Sequence, residues 1–143
     1  CIAFCENNPD DPICNVPNTT CAIFNDGVLP LCVAGCDPLL QDCLNAEVCI
    51  PSGDGFACVL DASGGEGLYG SACMFANSCN PGLFCANPEI FPSCDAEGCC
   101  TEFCDLSAPN TCAGAAGGQT CEPYYAQPDP GYEHVGICVL PTP

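Results

Sequence analysis

The groups best able to do chemistry in this chain are 18 Asp and Glu side chains, 19 cysteines and one histidine, with no Lys or Arg. Nucleophilic catalysis needs an activated Ser, Cys or Lys with a base held beside it. His134 is the single histidine, it lies in a strand-like stretch, and no Gly-x-Ser-x-Gly elbow occurs. It reads as a surface residue. Paired carboxylates can perform acid–base work on sugars, but among eighteen scattered ones a close pair arises by chance. The expectation is a chain without catalytic residues and without a cofactor.

Two metal chemistries deserve weighing. Thiolate ligation would use Cys32/Cys36, Cys100/Cys104 or His134/Cys138, each with a gap of three residues, but there is no Cys-x-x-Cys or Cys-x-Cys. Metallothionein-like chains also lack aromatics, whereas this one has 7 Phe and 4 Tyr, so disulfides are expected instead. Calcium takes several carboxylate and carbonyl oxygens. Asp54, Asp61 and Glu66 in and near a Gly-rich stretch are the calcium candidates, and Asp95, Glu97, Glu102 and Asp105 surround a cysteine cluster. Neither set has the Asp-x-Asp-x-Asp-Gly register of a helix–loop–helix calcium loop.

That cluster, Cys94-Asp-Ala-Glu-Gly-Cys-Cys-Thr-Glu-Phe-Cys104, holds four cysteines in eleven residues. Neighbouring side chains of an extended backbone point to opposite sides. A bridge between Cys99 and Cys100 would need a strained ring, so each is expected to take its own distant partner. The pair is thereby expected to bind the repeat that Cys94 closes to the last unit, which Cys104 opens. Nineteen is odd, and Cys1 is the natural cysteine to stand apart. It could carry lipid, as in a mature bacterial lipoprotein; it could form an intermolecular bridge; or its position could be a fragment boundary, with the odd thiol buried elsewhere. Setting it aside leaves Cys5, Cys14, Cys21, Cys32, Cys36, Cys43, Cys49, Cys58, Cys73, Cys79, Cys85, Cys94, Cys99, Cys100, Cys104, Cys112, Cys121 and Cys138 as structural disulfide cysteines, enough for nine bridges.

Cysteine at this density marks a disulfide scaffold in an oxidising compartment, extracellular or at a cell surface. Leu, Ile, Val and Phe supply only 30 of 143 residues, so cross-links must stand in for a thin core, each contributing roughly 2–4 kcal/mol. A net charge of −18 excludes nucleic acid, whose phosphates require cationic side chains, and disfavours anionic membranes. Cations, basic proteins or a polyvalent matrix remain compatible partners. No apolar run approaches the ~20 residues of a membrane-spanning helix.

The elements that must carry these residues are short and turn-rich. Residues 1–35 form an N-terminal cysteine-rich segment with turn chemistry at Asn7–Pro12 and a glycosylation sequon at Asn18-Thr19-Thr20. Residues 36–60 form a repeat, with Cys36, Cys43, Cys49 and Cys58 spaced by 7, 6 and 9 positions. Residues 61–72 read as a Gly-rich hinge. Residues 73–105 form a second repeat, Cys73, Cys79, Cys85 and Cys94, spaced by 6, 6 and 9, together with the cluster. Residues 106–143 form a C-terminal cysteine-rich unit, with a rigid turn at Gln127-Pro-Asp-Pro-Gly131 inserted before a last strand between Tyr132 and Leu140. Leu31-Cys32-Val33, Ala57-Cys58-Val59 and Ile137-Cys138-Val139 rhyme. Asp37-Pro38 suggests one capped helical turn, and Ser52-Gly-Asp-Gly55 a tight turn into a strand. The expected fold is small and disulfide-rich, an elongated array of irregular β-hairpin units with little helix.

Five runs resemble a cysteine-rich family of secreted proteins and lipoproteins from myxobacteria and related bacteria. They are Cys36-Asp-Pro-Leu-Leu-Gln-Asp-Cys43, Leu60-Asp-Ala-Ser-Gly64, Cys79-Asn-Pro-Gly-Leu-Phe-Cys85, Gly98-Cys-Cys-Thr-Glu-Phe-Cys-Asp-Leu106 and Gly131-Tyr-Glu-His-Val-Gly-Ile-Cys138. The resemblance covers Cys36 to Cys138 and implies location and architecture, since the family has no settled activity. The expected function is that of a non-catalytic structural or adhesive protein of a bacterial surface: a lipoprotein ectodomain or a filament subunit that self-associates or holds a matrix partner. The alternatives are a soluble secreted binding module, such as an inhibitor or toxin-like effector, and a calcium-binding surface protein.

Overall fold

The computed structural model describes residues 3–6, 13–24 and 28–141. Cys1 and the Asn7–Pro12 turn lie outside the described residues. Eight strands form four antiparallel hairpins: β1 (Thr19–Phe24) with β2 (Leu29–Ala34), β3 (Glu47–Ser52) with β4 (Gly55–Leu60), β5 (Leu83–Ala86) with β6 (Cys99–Asp105), and β7 (Thr120–Pro123) with β8 (Val135–Val139). The last two merge into one sheet of order β5-β6-β8-β7. Among the described residues, helix is confined to two single turns, Pro88–Ile90 and Ala115–Gly117. The disulfide-rich, hairpin-built fold is as the composition implies.

Local sequence explains the hairpins. Ser52 and Gly55 are paired across the β3–β4 tip, leaving Gly53 and Asp54 as a two-residue loop with Gly53 at φ +60°. A glycine in that first position gives the reverse-handed turn that matches strand twist. Asp37 caps the next visible turn: its Oδ1 accepts from the Leu39 amide at 2.8 Å, and its carbonyl accepts from the Gln41 amide at 2.9 Å. Gln41 at φ +50° ends that turn before it becomes a helix.

Each hairpin places two cysteines directly opposite one another: Cys21 and Cys32, Cys49 and Cys58, Cys85 and Cys100, Cys121 and Cys138. Opposed residues share a sheet face, yet none of these pairs is bonded. Each hairpin cysteine instead reaches an upstream cysteine, in the order first to third and second to fourth. The bridges are Cys5–Cys21 and Cys14–Cys32; Cys36–Cys49 and Cys43–Cys58; Cys73–Cys85 and Cys79–Cys100; Cys104–Cys121 and Cys112–Cys138. In every unit three sulfurs from the two bridges lie within 4.8 Å of one another. In the third and fourth units they form clusters of buried side chains in their own right. The segment before Cys36 has the same pairing as the rest.

Two expectations about the cysteine cluster need correction. The third unit closes at Cys100, because β6 sets that residue opposite Cys85; Cys94 forms an added local bridge with Cys99, five positions on. Cys99 and Cys100 do take separate partners, but both partners lie within the third unit, so neither fastens that unit to the fourth. The fastening runs through β6 itself, whose Cys104 is bonded to Cys121 of β7 and whose backbone is shared by two ladders. β6 pairs with β5 on one side and, three residues past Cys100, with β8 on the other.

The units also share packing. Ala22, Val33 and Ala57 join the first to the second, beside a Gly35–Ala57 bridge. Phe56 of the second unit, 1% exposed, enters an aromatic nest supplied by the third and fourth. Its ring lies 5.6 Å from Phe103, 5.6 Å from Tyr125 and 5.1 Å from Tyr132, each edge to face. The Gly-rich 61–72 segment is hydrogen-bonded along its length, from Ala62 to Asn77, from Gly67 to Asn80 and from Gly70 to Cys100. Gly67 packs where a Cβ would collide with the Ser78 carbonyl. Tyr69 from this segment donates to Gln119 Oε1 at 2.6 Å. The Gln119 amide in turn donates to the Cys138 carbonyl at 3.0 Å, so a buried polar side chain is fully satisfied, as burial demands.

Phe56→Ala is expected to cost about 3–5 kcal/mol in denaturant unfolding, the range for an aromatic removed from a packed core, while exposed Phe75→Ala stays within about 0.5 kcal/mol. Among the bridges, replacing Cys94 and Cys99 together by Ala removes a short loop and is expected to cost about 2 kcal/mol. The Cys79 and Cys100 pair should cost more than about 3 kcal/mol. Thermal denaturation of the two double variants compares them directly.

Candidate functional site

The first, second and fourth units meet around a cleft of about 600 Å³. The first unit contributes Asn18, Thr19 and Thr20, the second Asp37, Asp42, Gly55 and Phe56, and the fourth the Asp129–Tyr132 loop. Asp37 is held by its capping turn, and Asp42 Oδ1 accepts from the Asp37 amide at 2.9 Å. The Gln127–Gly131 turn predicted from sequence is pinned across the units: the Asp129 amide donates to the Asp54 carbonyl at 2.9 Å, and the Tyr125 hydroxyl donates to the Gly55 carbonyl at 2.8 Å. Tyr132 then lies over Gly55, where a Cβ would stand 3.1 Å from its ring and 3.2 Å from Asp129 Oδ2. His134 Nε2 is 3.6 Å from Asp37 Oδ2, the one contact of a basic side chain with a carboxylate among the described residues.

The electrostatics follow from this placement. The Tyr132 hydroxyl is pushed above its ordinary range by burial, then by Asp37, Asp129 and Asp42, so three carboxylates from two loops act on one ring. Burial also raises Tyr124. Tyr125 rises far more, through burial and then the neighbouring Tyr124 and Asp54. What results is a negative cleft with an aromatic wall.

The calcium candidates are not gathered into such a site. Asp54 sits exposed at the β3–β4 tip. Asp61 Oδ1 is occupied by the Ser63 amide at 2.8 Å. Glu66 is exposed, its carbonyl accepting from Ser71 at 3.2 Å. Among the described residues, the groups of three or more metal-capable side chains close enough to share an ion are all cysteines already in disulfides. Around the cysteine cluster, Glu102 accepts from the Ala113 amide at 2.8 Å. Asp105 accepts from the amide and hydroxyl of Ser107, which hold its carboxyl below the usual range. The cleft residues Asp37, Asp42, Asp129 and Tyr132 were missed as a set. Their turns were visible in sequence, but nothing local relates positions some ninety residues apart.

Comparison with family models, with curated proteins and with solved structures gives no significant match. Nine disulfides accord with an extracellular or otherwise oxidising compartment. No helix among the described residues is long and apolar enough to cross a membrane.

Tyrosines with raised folded-state values favour the neutral phenol in the native protein. Their contribution is complete below the ordinary value of 10.0 and is lost as pH rises through the folded values. Stability is therefore expected to be unaffected by these groups at neutral pH and to fall above about pH 10. Phenolate absorbance of the native protein should lag behind that of the unfolded chain, and Tyr132→Phe should narrow the lag.

Proposed function

We propose that the protein is a non-catalytic structural or adhesive module of a bacterial cell surface, a lipoprotein ectodomain or filament subunit that works by self-association. The observation that carries this reading is apolar surface on a stapled frame. Met74 and Phe75 are 70% and 68% exposed and line a shallow, largely apolar depression with Ala72, Cys73 and Ala96. Ile23 with Val28, and Leu40 with Leu44, stand out from the first and second units. Contiguous exposed apolar surface marks contact sites, whereas single exposed apolar residues are ordinary, so the Met74–Phe75 depression is the feature that counts, and the disulfides keep it presented without a large core to bury it. The resemblance to the myxobacterial cysteine-rich family supports the same setting. A second reading, a soluble secreted binding module, draws its support from the acidic cleft.

Subunits at −18 repel one another unless cations screen them. Non-reducing sedimentation is expected to show assemblies that grow with salt or calcium and weaken in a Met74→Ser/Phe75→Ser variant. A monomer at every cation level would remove the self-association reading.

A further inference from the structure

The cleft between the first, second and fourth units has a volume of about 600 Å³, inside the range of roughly 300–1,000 Å³ typical of ligand sites. Its carboxylates come from the Asp37 turn and the Asp129 loop, with Asp42 beside Asp37, and the Tyr132 ring stands among them. From these features we infer that the cleft is a docking site for a basic, extended segment of a partner polypeptide, seating an Arg or Lys side chain against Tyr132. This goes beyond self-association and does not depend on it.

Three observations select that occupant. The carboxylates are negative and have almost no cation of their own, since the chain has no Lys or Arg and His134 reaches Asp37 alone. A bare divalent ion is a poor fit, because it gathers oxygens at about 2.3–2.6 Å from one centre. The cleft carboxylates belong to no group of metal-capable atoms within 4.8 Å of one another. Carboxylates spread around a ring suit a cation on a long stem, which can lie over the aromatic face and be reached by acids on both sides. The shape agrees as well: the lining runs over all three units and includes exposed Gly35, which has no side chain to obstruct an extended chain. The field of −18 charges would draw basic segments in from a distance and repel acidic ones.

The test uses the intact, oxidised protein and a fluorescent heptapeptide alternating Gly with Arg and Lys, followed by anisotropy at about 150 mM salt, where the long-range field is screened beyond ~8 Å. A heptapeptide with Glu in place of Arg and Lys is the control. The native protein is expected to bind the basic peptide and not the acidic one. Asp42→Asn/Asp129→Asn and, separately, Tyr132→Leu should each raise Kd about tenfold or more. Glu89→Gln/Glu97→Gln removes the same charge outside the cleft and should change Kd by less than about twofold. Non-reducing peptide maps confirm that every variant keeps its bridges. Equal weakening by the two charge-deleted variants would reduce the binding to bulk charge and overturn the site. Absence of binding by the native protein would overturn it too, as would calorimetric calcium binding that the cleft variants abolish while the peptide stays unbound.

Discussion

Four times along this chain, two cysteines face one another across a hairpin and each is bonded to a cysteine further upstream. Everything else depends on that constraint. Because opposed residues share a sheet face, both upstream segments are drawn to the same side of the hairpin, and the two bridges come to rest against each other. Sulfur thereby takes the place of aliphatic core in units too small to bury one. The stabilisation comes from closing loops of moderate length in the unfolded chain, so it survives the turn-rich composition and the repulsion of −18 charges.

Local stapling leaves open how most of the units are joined, since of the nine bridges among the described residues only Cys104–Cys121, from β6 to β7, passes from one hairpin to another. Two other devices do that. Between the third and fourth units the joint is β6, shared by two ladders. Between the second unit and those two it is Phe56, whose ring is surrounded by Phe103, Tyr124, Tyr125 and Tyr132. The hydrogen bonds from Tyr125 to Gly55 and from Asp129 to Asp54 fix the fourth unit against the β3–β4 tip, and the acidic cleft opens beside this seam. The cleft is a by-product of how rigid modules dock, and its charge reflects a chain that offers no cation to neutralise it.

The architecture separates two surfaces with different chemistry. Apolar side chains such as Met74 and Phe75 stand on the third unit, away from the cleft, where they favour contact with other apolar surface. The cleft, by contrast, is polar, negative and aromatic. A disulfide frame makes both presentable at once, because side chains that an ordinary domain would bury are not needed to hold the fold.

Composition alone pointed to the disulfide-rich fold class and to an extracellular or otherwise oxidising setting, because these depend on residue types and not on their arrangement. Spacing went further: the rhyming Leu31-Cys32-Val33, Ala57-Cys58-Val59 and Ile137-Cys138-Val139 mark the fourth cysteine of three units, and Gly53 and Asp37 announced their turns through local backbone chemistry. The rest was decided by tertiary structure. Cys94 sits at the repeat-like distance from Cys85, yet Cys100 takes the bridge, since pairing requires sulfurs brought together in space and β6 supplies that register. In the same way, the sequence displayed eighteen carboxylates without ranking them. Only the docking of the fourth unit on the second brings Asp129 and Tyr132 to Asp37 and Asp42, and charges interact through distance in space, not through separation along the chain.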